Sequence, residues 1–266
     1  KYIITYSLDG ASNSPSSATS SYNFDGFYYN SNQYITASGT SARVWDQLVN
    51  ATLTSQWTCN EVTLPSPQKS GYVFAGWYTA KDGGTKIGNA SDKYCASSNI
   101  TLYSRWTASK YTVGLDDNGG SGGSESILAT YGSAMPSIKK PTRSYTIDYN
   151  LNGGSGSLSS SVVNYTFNGY DYNNSVQYYN STPSSARNWD IASKATLYAN
   201  WTAGSITLPT PTRSGYSFKG WYTAATGGTK ISDGGKSYSP SKDIVLYAQW
   251  QGEQYSLSFD ASGASS

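Results

Sequence analysis

Residues Tyr145-Thr-Ile-Asp-Tyr-Asn-Leu alternate apolar and polar side chains with a period of two. That is the pattern of a strand with one buried face. Asn152-Gly153-Gly154 follows, and Asn and Gly accept the positive φ of a tight turn. Val245 to Trp250 reads as another strand, with Leu246, Ala248 and Trp250 on one face. Tyr216 to Tyr222 reads as a third, and Gly220 inside it predicts a bulge or a close backbone approach. Pro209 and Pro211 cannot donate to a ladder, so 207–212 belongs at an edge or ahead of a strand. Helical signals are few. A short helix is expected at 184–193, capped by Ser184 or Ser185, with Trp189 on its buried face. Its match lies at 40–49. A further candidate at 134–138 is interrupted by Pro136.

The pattern recurs at long range. Shifted by 144 residues, Trp45-Asp46 falls on Trp189-Asp190, Trp57 on Trp201, and Gly76–Ala80 on Gly220–Ala224. Without gaps, residues 45–106 match 189–250 at 31 of 62 positions. Nearer the start the offset is 143, so Tyr2, Tyr6 and Leu8 align with Tyr145, Tyr149 and Leu151. At the far end Tyr111, Asp116 and Gly119 align with Tyr255, Asp260 and Gly263. A self-match of this length is the signature of a repeat architecture. Within each unit two opening segments precede two closing ones. The openings are 111–143 and 145–164. The closings are 165–201 and 205–250. The chain then reads as 1–57 (second opening plus first closing), 58–106 (second closing), 107–143 (first opening), 144–201 (repeat of 1–57), 202–250 (repeat of 58–106) and 251–266 (start of the next repeat).

The closing pattern G-Y-x-F-x-G-W-Y-T, then G-G, then L-Y-A-x-W occupies Gly215–Thr223 and Leu246–Trp250, and is echoed at Gly71–Thr79 and Leu102–Trp106. It resembles the Listeria–Bacteroides repeat, also called the internalin-B B-repeat. The resemblance implies small β-grasp-like modules in extracellular bacterial surface proteins. One feature departs from the family. Typically one opening runs straight into one closing half, whereas here 145–164 stands between 111–143 and 165–201. Two interleaved modules are therefore expected, one from 111–143 plus 165–201, the other from 144–164 plus 205–250. The competing reading takes 145–201 as one short module and 202–250 as a truncated one. The expected fold class is mainly β: tandem modules, interleaved in pairs, in an elongated array.

Composition narrows the function. Apolar residues make up 37% of the chain and charged residues 13%, with 46 Ser and 27 Gly making up much of the difference from an ordinary globular protein. Aromatics reach 15%, which argues against disorder. Net charge is +2 without a basic cluster, so no nucleic-acid partner is expected. No apolar run approaches the ~20 residues of a helical span, so no membrane insertion is expected in this segment. The chain opens at Lys1 inside a strand pattern without a signal peptide, so both ends read as cuts in a longer polypeptide. Histidine is absent, which excludes Ser-His-Asp and Cys-His chemistry, and two cysteines cannot build an ordinary thiolate zinc site.

Modules of 50–70 residues have marginal cores, so large rings should supply them. Trp57, Trp77, Trp106, Trp201, Trp221 and Trp250 are expected to be mostly buried. Tyr28, Tyr29, Tyr34, Tyr178 and Tyr179 are the candidates for surface contact, through which a glycan or protein could stack. Cys59 and Cys95 become Ala203 and Ser239 in the second copy. A pair present together and absent together reads as a disulfide, which implies an oxidising compartment. Asp116-Asp117-Asn118-Gly119 lacks the spaced acids of a calcium loop and reads as a turn. Arg43 and Asp46, repeated as Arg187 and Asp190, read as a structural ion pair. No paired carboxylates suggest catalysis and no cofactor is expected. The expected role is a non-enzymatic stalk, fibre or filament segment on a bacterial surface. Its partners would be neighbouring repeats or identical chains. The alternative is an adhesin module for host glycan or protein.

Overall fold

The computed structural model describes residues 1–260, 262 and 263. None of them is helical; they form strands joined by turns and bends. The chain separates into two units. One is Lys1–Tyr111 with Thr130–Gly132 and Asp190–Ser193; the other is Thr112–Ala129 with Ser133–Trp189 and Lys194–Ser266.

The first unit holds β1 (Tyr2–Ser7), β2 (Ser17–Tyr29), β3 (Asn32–Thr36), β4 (Thr54–Asn60), β5 (Val62–Thr63), β6 (Tyr72–Tyr78), β7 (Lys86–Gly88), β8 (Lys93–Tyr94) and β9 (Ile100–Ala108). Its main sheet runs β3-β2-β1-β9-β6-β7, with β4 added to β2. The long strand β2 serves two neighbourhoods. Residues 17–20 pair with β1, and 21–28 pair with β4. β1 and β9 are parallel, with Tyr6 opposite Leu102. Ile4, Tyr6, Leu64, Trp77, Ala96 and Leu102 form the core beneath them.

The second unit continues with β10 (Lys110–Asp116), β11 (Ser126–Thr130), β12 (Ser144–Asn150), β13 (Ser161–Asn164), β14 (Thr166–Tyr172), β15 (Val176–Asn180), β16 (Ala195–Thr202), β17 (Ile206–Thr207), β18 (Tyr216–Tyr222), β19 (Lys230–Ser232), β20 (Ser237–Tyr238) and β21 (Ile244–Gly252). Two five-stranded sheets result, ordered β11-β10-β16-β14-β15 and β13-β12-β21-β18-β19. They alternate along the chain, since the β12–β13 hairpin of one sheet lies in sequence between β11 and β14 of the other. Only Tyr165 separates β13 from β14. Each sheet is built on one parallel pair, β10 with β16 and β12 with β21. The second sheet encloses Ile147, Val163, Leu208, Trp221, Leu246 and Ala248. The first buries Val113, Leu115, Met135, Phe167, Tyr170, Trp189 and Leu197.

The local chemistry explains these elements. Gly220 sits where the β18–β21 register shifts, at φ 128°, and a Cβ there would meet the Ser232 carbonyl at 2.8 Å. Only glycine fits such a bulge. Gly169 plays the same part between β14 and β16, at φ 135°. The indole Nε1 of Trp77 donates to the Pro65 carbonyl at 3.0 Å, and that of Trp221 to Pro209 at 2.8 Å. The proline-bearing segments thus satisfy the buried indoles, as buried donors require.

The three expected helices do not form. In 184–193 the chain is held by isolated bridges, Tyr179 with Ser185 and Ala134 with Asn188. The Asn180 Oδ1 accepts the amides of Thr182 and Ser184 at 3.0 Å each. Side chains that bond nearby backbone compete with the helical ladder. In 40–49, the Thr36 Oγ1 accepts the Thr40 amide at 3.2 Å and Ile35 bridges Ser41. In 134–138 the Met135 amide donates to the Ser185 hydroxyl at 2.9 Å, outside any helix.

Candidate functional site

Aromatic residues of the first unit line a surface cleft. Lys1, Tyr2, Tyr22, Trp57 and Ser97 line a cleft of about 450 Å³. Tyr2 and Tyr22 meet edge to face with centroids 6.0 Å apart. Trp57 is 54% exposed, which corrects the expectation that it is mostly buried. Trp77 and Trp221 are fully buried, and Trp106, Trp201 and Trp250 half-buried.

Trp57 lies open because of what packs on its counterpart. In the frame of the repeat, Tyr2, Tyr22 and Trp57 correspond to Tyr145, Tyr165 and Trp201. Tyr145 and Tyr165 also meet edge to face, at 5.6 Å. The Arg143 guanidinium lies 4.7 Å from the Tyr165 ring centre and 5.5 Å from that of Tyr145, and its Nε donates to the Tyr145 hydroxyl at 3.1 Å. Trp201 Nε1 donates at 3.0 Å to the Asp117 carbonyl in the turn after β10. The opening segment 110–143 therefore fills this place in the second unit.

The contrast extends along β2, β3 and β4. Trp189 is fully buried, with its amide donating to the Ser133 carbonyl at 2.9 Å, whereas its counterpart Trp45 is 43% exposed. Tyr170 is fully buried against Phe167, whereas its counterpart Phe27 is 39% exposed. Val44, Leu48 and Val49 are exposed as well. Among the described residues β4 has no strand partner except β2. β16 lies between β14 and β10.

The five tyrosines expected at the surface divide differently. Tyr28 and Tyr29 are half-buried. Tyr34, Tyr178 and Tyr179 are buried, so they do not offer a surface for contact. Tyr178 and Tyr179 point to opposite faces of β15, and both faces are covered. Tyr178 packs on Trp189 with ring centres 5.1 Å apart, under the Arg187 guanidinium. Tyr179 meets Tyr170 and donates to the Pro136 carbonyl at 2.7 Å. Tyr34 packs on Trp45 at 5.0 Å and donates to Asp46 Oδ1 at 2.5 Å. Sequence reasoning missed the more accessible rings, Phe27, Trp45 and Trp57. In the repeat frame their counterparts Tyr170, Trp189 and Trp201 are bonded to Asp117 and Ser133 of the opening segment 111–143.

Cys59 of β4 is bonded to Cys95, with Cα atoms 6.3 Å apart. The Tyr22 hydroxyl donates to the neighbouring Ala96 carbonyl at 3.1 Å. The disulfide thus ties β4 to the core that holds Ala96. Arg43 reaches Asp46 at 3.3 Å across the surface. Hydrogen bonds from Tyr34 and Gln47, with Arg43 adding a smaller share, hold the Asp46 carboxyl below its ordinary range. Burial, then the hydrogen bond to Asp117, pushes the Tyr170 phenol well above its ordinary value, and burial does the same for Tyr179. Asp116–Gly119 forms a turn in which the Asn118 amide donates to Asp116 Oδ1 at 2.7 Å. Among the described residues no three His, Cys, Asp or Glu side chains gather as a metal site would need. The described residues form no helix long and apolar enough to cross a membrane.

Known proteins share this sequence pattern. The Listeria-Bacteroides repeat domain matches residues 33–105 and 191–249. A protein of Evansella cellulosilytica described as a Gly-rich membrane protein is 30% identical over 77% of this chain and 24% of its own length. Internalin H of Listeria monocytogenes is 29% identical over 70% of this chain and 20% of its own length. A second Evansella cellulosilytica membrane protein is 28% identical over 75% of this chain and 31% of its own length. The chain thus spans between a fifth and a third of these curated relatives. No solved structure matches it.

Proposed function

From a chain that carries two Listeria-Bacteroides repeat domains, we infer a non-enzymatic structural segment of a bacterial surface protein, a stalk that spaces other parts of the molecule from the cell. One observation carries this reading: the two sheets of the second unit alternate along the chain. A strand of one sheet cannot be peeled without disturbing the connection to the other. Such coupling between neighbouring modules is what resists extension in a repeat array. The 144-residue period then acts as the unit of length, and each pair of interlaced β-grasp-like modules as one link. The Cys59–Cys95 bond supports an oxidising, extracellular setting. The low charge and the abundance of Ser and Gly suit a solvated surface stalk.

The second reading, an adhesin module, draws on the cleft of Tyr2, Tyr22 and Trp57, since open aromatic faces can stack on sugar rings. Arg143 occupies the matching place in the second unit, which favours completion by more protein over a glycan site.

The two readings separate in one experiment. One, two and three tandem copies of residues 107–250 are placed between a cell-wall anchor and a fluorescent tip. The height of the tip is measured, along with glycan binding to the chain. We expect equal increments in height per copy and no glycan binding above background. A constant height would overturn the stalk. Saturable glycan binding to the chain of residues 1–266, measured separately because the tandem copies lack Trp57, with quenching that Trp57→Phe abolishes, would favour the adhesin.

A further inference from the structure

We propose that a groove over Trp106 in the first unit binds an acidic glycan, a chain of sugar rings that carry carboxylates. The proposal goes beyond the stalk reading and does not rest on it.

Three exchanges between the copies re-aim one indole. In both sheets of the second unit the tryptophan at this place lies on the turn after the first strand. Trp250 Nε1 donates to the Leu151 carbonyl at 3.0 Å, and Trp201 Nε1 to the Asp117 carbonyl at 3.0 Å. Each ring needs a glycine beneath it. A Cβ at Gly154 would meet Trp250 Cζ2 at 2.7 Å, and one at Gly120 would meet Trp201 Cζ2 at 2.5 Å. Each turn also holds an asparagine that donates to the strand carrying the tryptophan. Asn152 Nδ2 reaches the Ala248 carbonyl at 3.0 Å, and Asn118 Nδ2 the Ala199 carbonyl at 2.9 Å. In the first unit Asn152, Gly154 and Ala248 become Asp9, Ala11 and Ser104. The turn itself is kept, since the Ala11 amide donates to the Leu8 carbonyl at 3.0 Å as that of Gly154 does to Leu151 at 2.9 Å. The methyl group of Ala11 therefore excludes the indole from its usual seat. Ser104 is buried, and its Oγ accepts Trp106 Nε1 at 3.1 Å instead. Asp9 has no side-chain N–H to give, and its carboxylate takes Lys69 at 2.9 Å and Lys81 at 4.0 Å.

The re-aimed Trp106 lines two adjoining cavities of about 440 and 490 Å³, which share Lys69 and Tyr72 as well. The rings are fixed from behind. Phe74 meets Trp106 edge to face at 5.3 Å, and Tyr131 meets Tyr72 likewise at 5.3 Å. Tyr131 comes from the segment that follows this module, and it leaves both cavities open. The segment 110–143 of the second unit lies on Tyr145, Tyr165 and Trp201, whose counterparts Tyr2, Tyr22 and Trp57 are outside this groove. One cavity is flanked by Asp9, Lys81, Asp82 and Arg105, the other by Ser12, Gln68 and Ser70. Lys81, Asp82 and Arg105 correspond to Ala225, Thr226 and Gln249, so the charges belong to this copy. Arg105 is held rigidly, 4.1 Å from the Tyr78 ring centre, with two donations at 3.0 Å to the Lys81 and Ala80 carbonyls. Apolar rings with a few convergent polar groups are the ordinary make-up of a ligand site. Here the rings take the C–H face of a pyranose. Lys81 and Arg105 take its carboxylate through charge-assisted hydrogen bonds. Asp82 and Gln68 accept from ring hydroxyls, which a polyphosphate would not offer.

Tryptophan fluorescence of the whole chain, titrated with hexasaccharides, provides the test. Hyaluronan, galacturonate and mannuronate hexasaccharides are the acidic probes, and chitohexaose is the neutral one. We expect saturable quenching by at least one acidic probe at millimolar concentration or below, weakened by salt, and no saturation by chitohexaose. Trp106→Phe should abolish the quenching. K81A/R105Q installs the residues of the second copy, where Gln249 still holds its turn through the Ala224 carbonyl at 3.0 Å. It should weaken binding about tenfold or more and leave the urea midpoint in place. A11G/S104A should weaken it as much without removing a charge, because the indole settles back onto its turn. No quenching by any probe, equal binding of chitohexaose, quenching that survives Trp106→Phe, or full binding by A11G/S104A would each overturn the proposal. Tandem copies of residues 107–250 lack this groove, so the tip-height measurement is untouched and the two ideas fail separately.

Discussion

Single side chains show how each copy is held, and the tryptophans separate the cases. Trp221 is fully buried and hydrogen-bonded to Pro209, so Trp221→Ala should cost about 3–5 kcal/mol. Trp57 is half exposed, and Trp57→Ala should cost about 1 kcal/mol or less in the isolated chain. Urea titration of both variants checks the contrast. The core role of Trp77 and Trp221 was legible from the repeated G-W-Y motif. The exposure of Trp57 was not, because burial there depends on a segment far away in sequence. Buried phenols add a pH dependence. Tyr170 and Tyr179 have folded pKa values raised by burial above the unfolded value near 10. Their contribution is complete below pH ~10 and is lost as pH rises above it, since the unfolded chain sheds those protons first. We expect alkaline unfolding of the β10–β16 sheet above pH ~10, with Tyr170→Phe shifting the transition upward. Phenolate absorbance and near-ultraviolet circular dichroism read the two events together. Asp46 runs the other way. Its lowered folded value means that its support for the 40–49 turn is lost as pH falls through the acidic carboxylate range.

Elements were legible where a strand has one wet face. Tyr145–Leu151, Tyr216–Tyr222 and Val245–Trp250 announced themselves by alternation, and the glycine bulge at Gly220 by its place within a strand pattern. The β15 strand was misread because Tyr178 and Tyr179 are buried on opposite faces, so adjacent rings looked like surface rings. The expected helices failed for a related reason. Their Ser, Asn and Thr side chains bond local backbone, and the segments serve as covers held by bridges to distant strands. Two substitutions probe the element level. Gly169→Ala forces a side chain into a positive-φ bulge against the Tyr179 carbonyl. It should destabilise the β10–β16 sheet by at least about 1–3 kcal/mol, read as a shifted urea midpoint. Cys59→Ser opens a loop of sequence separation 36. On the chain-entropy model that removes about 3–4 kcal/mol. Amide exchange should accelerate across β4, which the disulfide ties to Cys95, and leave β10–β21 unchanged.

At the scale of the molecule, the repeat period was readable by sliding the sequence on itself, and so was the anomaly of two openings in a row. Strand patterning left an interleaved and a serial pairing of openings with closings both open, because pairing over some 80 residues leaves no local trace, and it was the family's usual order that favoured the interleaved one. The sheets supply the pairing: β10 and β11 join β14 to β16, and β12 and β13 join β18 to β21. If that alternation makes the two sheets one mechanical body, pulling on residues 110 and 252 in a single-molecule force experiment reads it directly. The 143 residues between β10 and the end of β21 should release about 500 Å of extended chain in one step. Two separate steps of about half that length, at distinct forces, would contradict the interlaced pair and leave a string of independent modules.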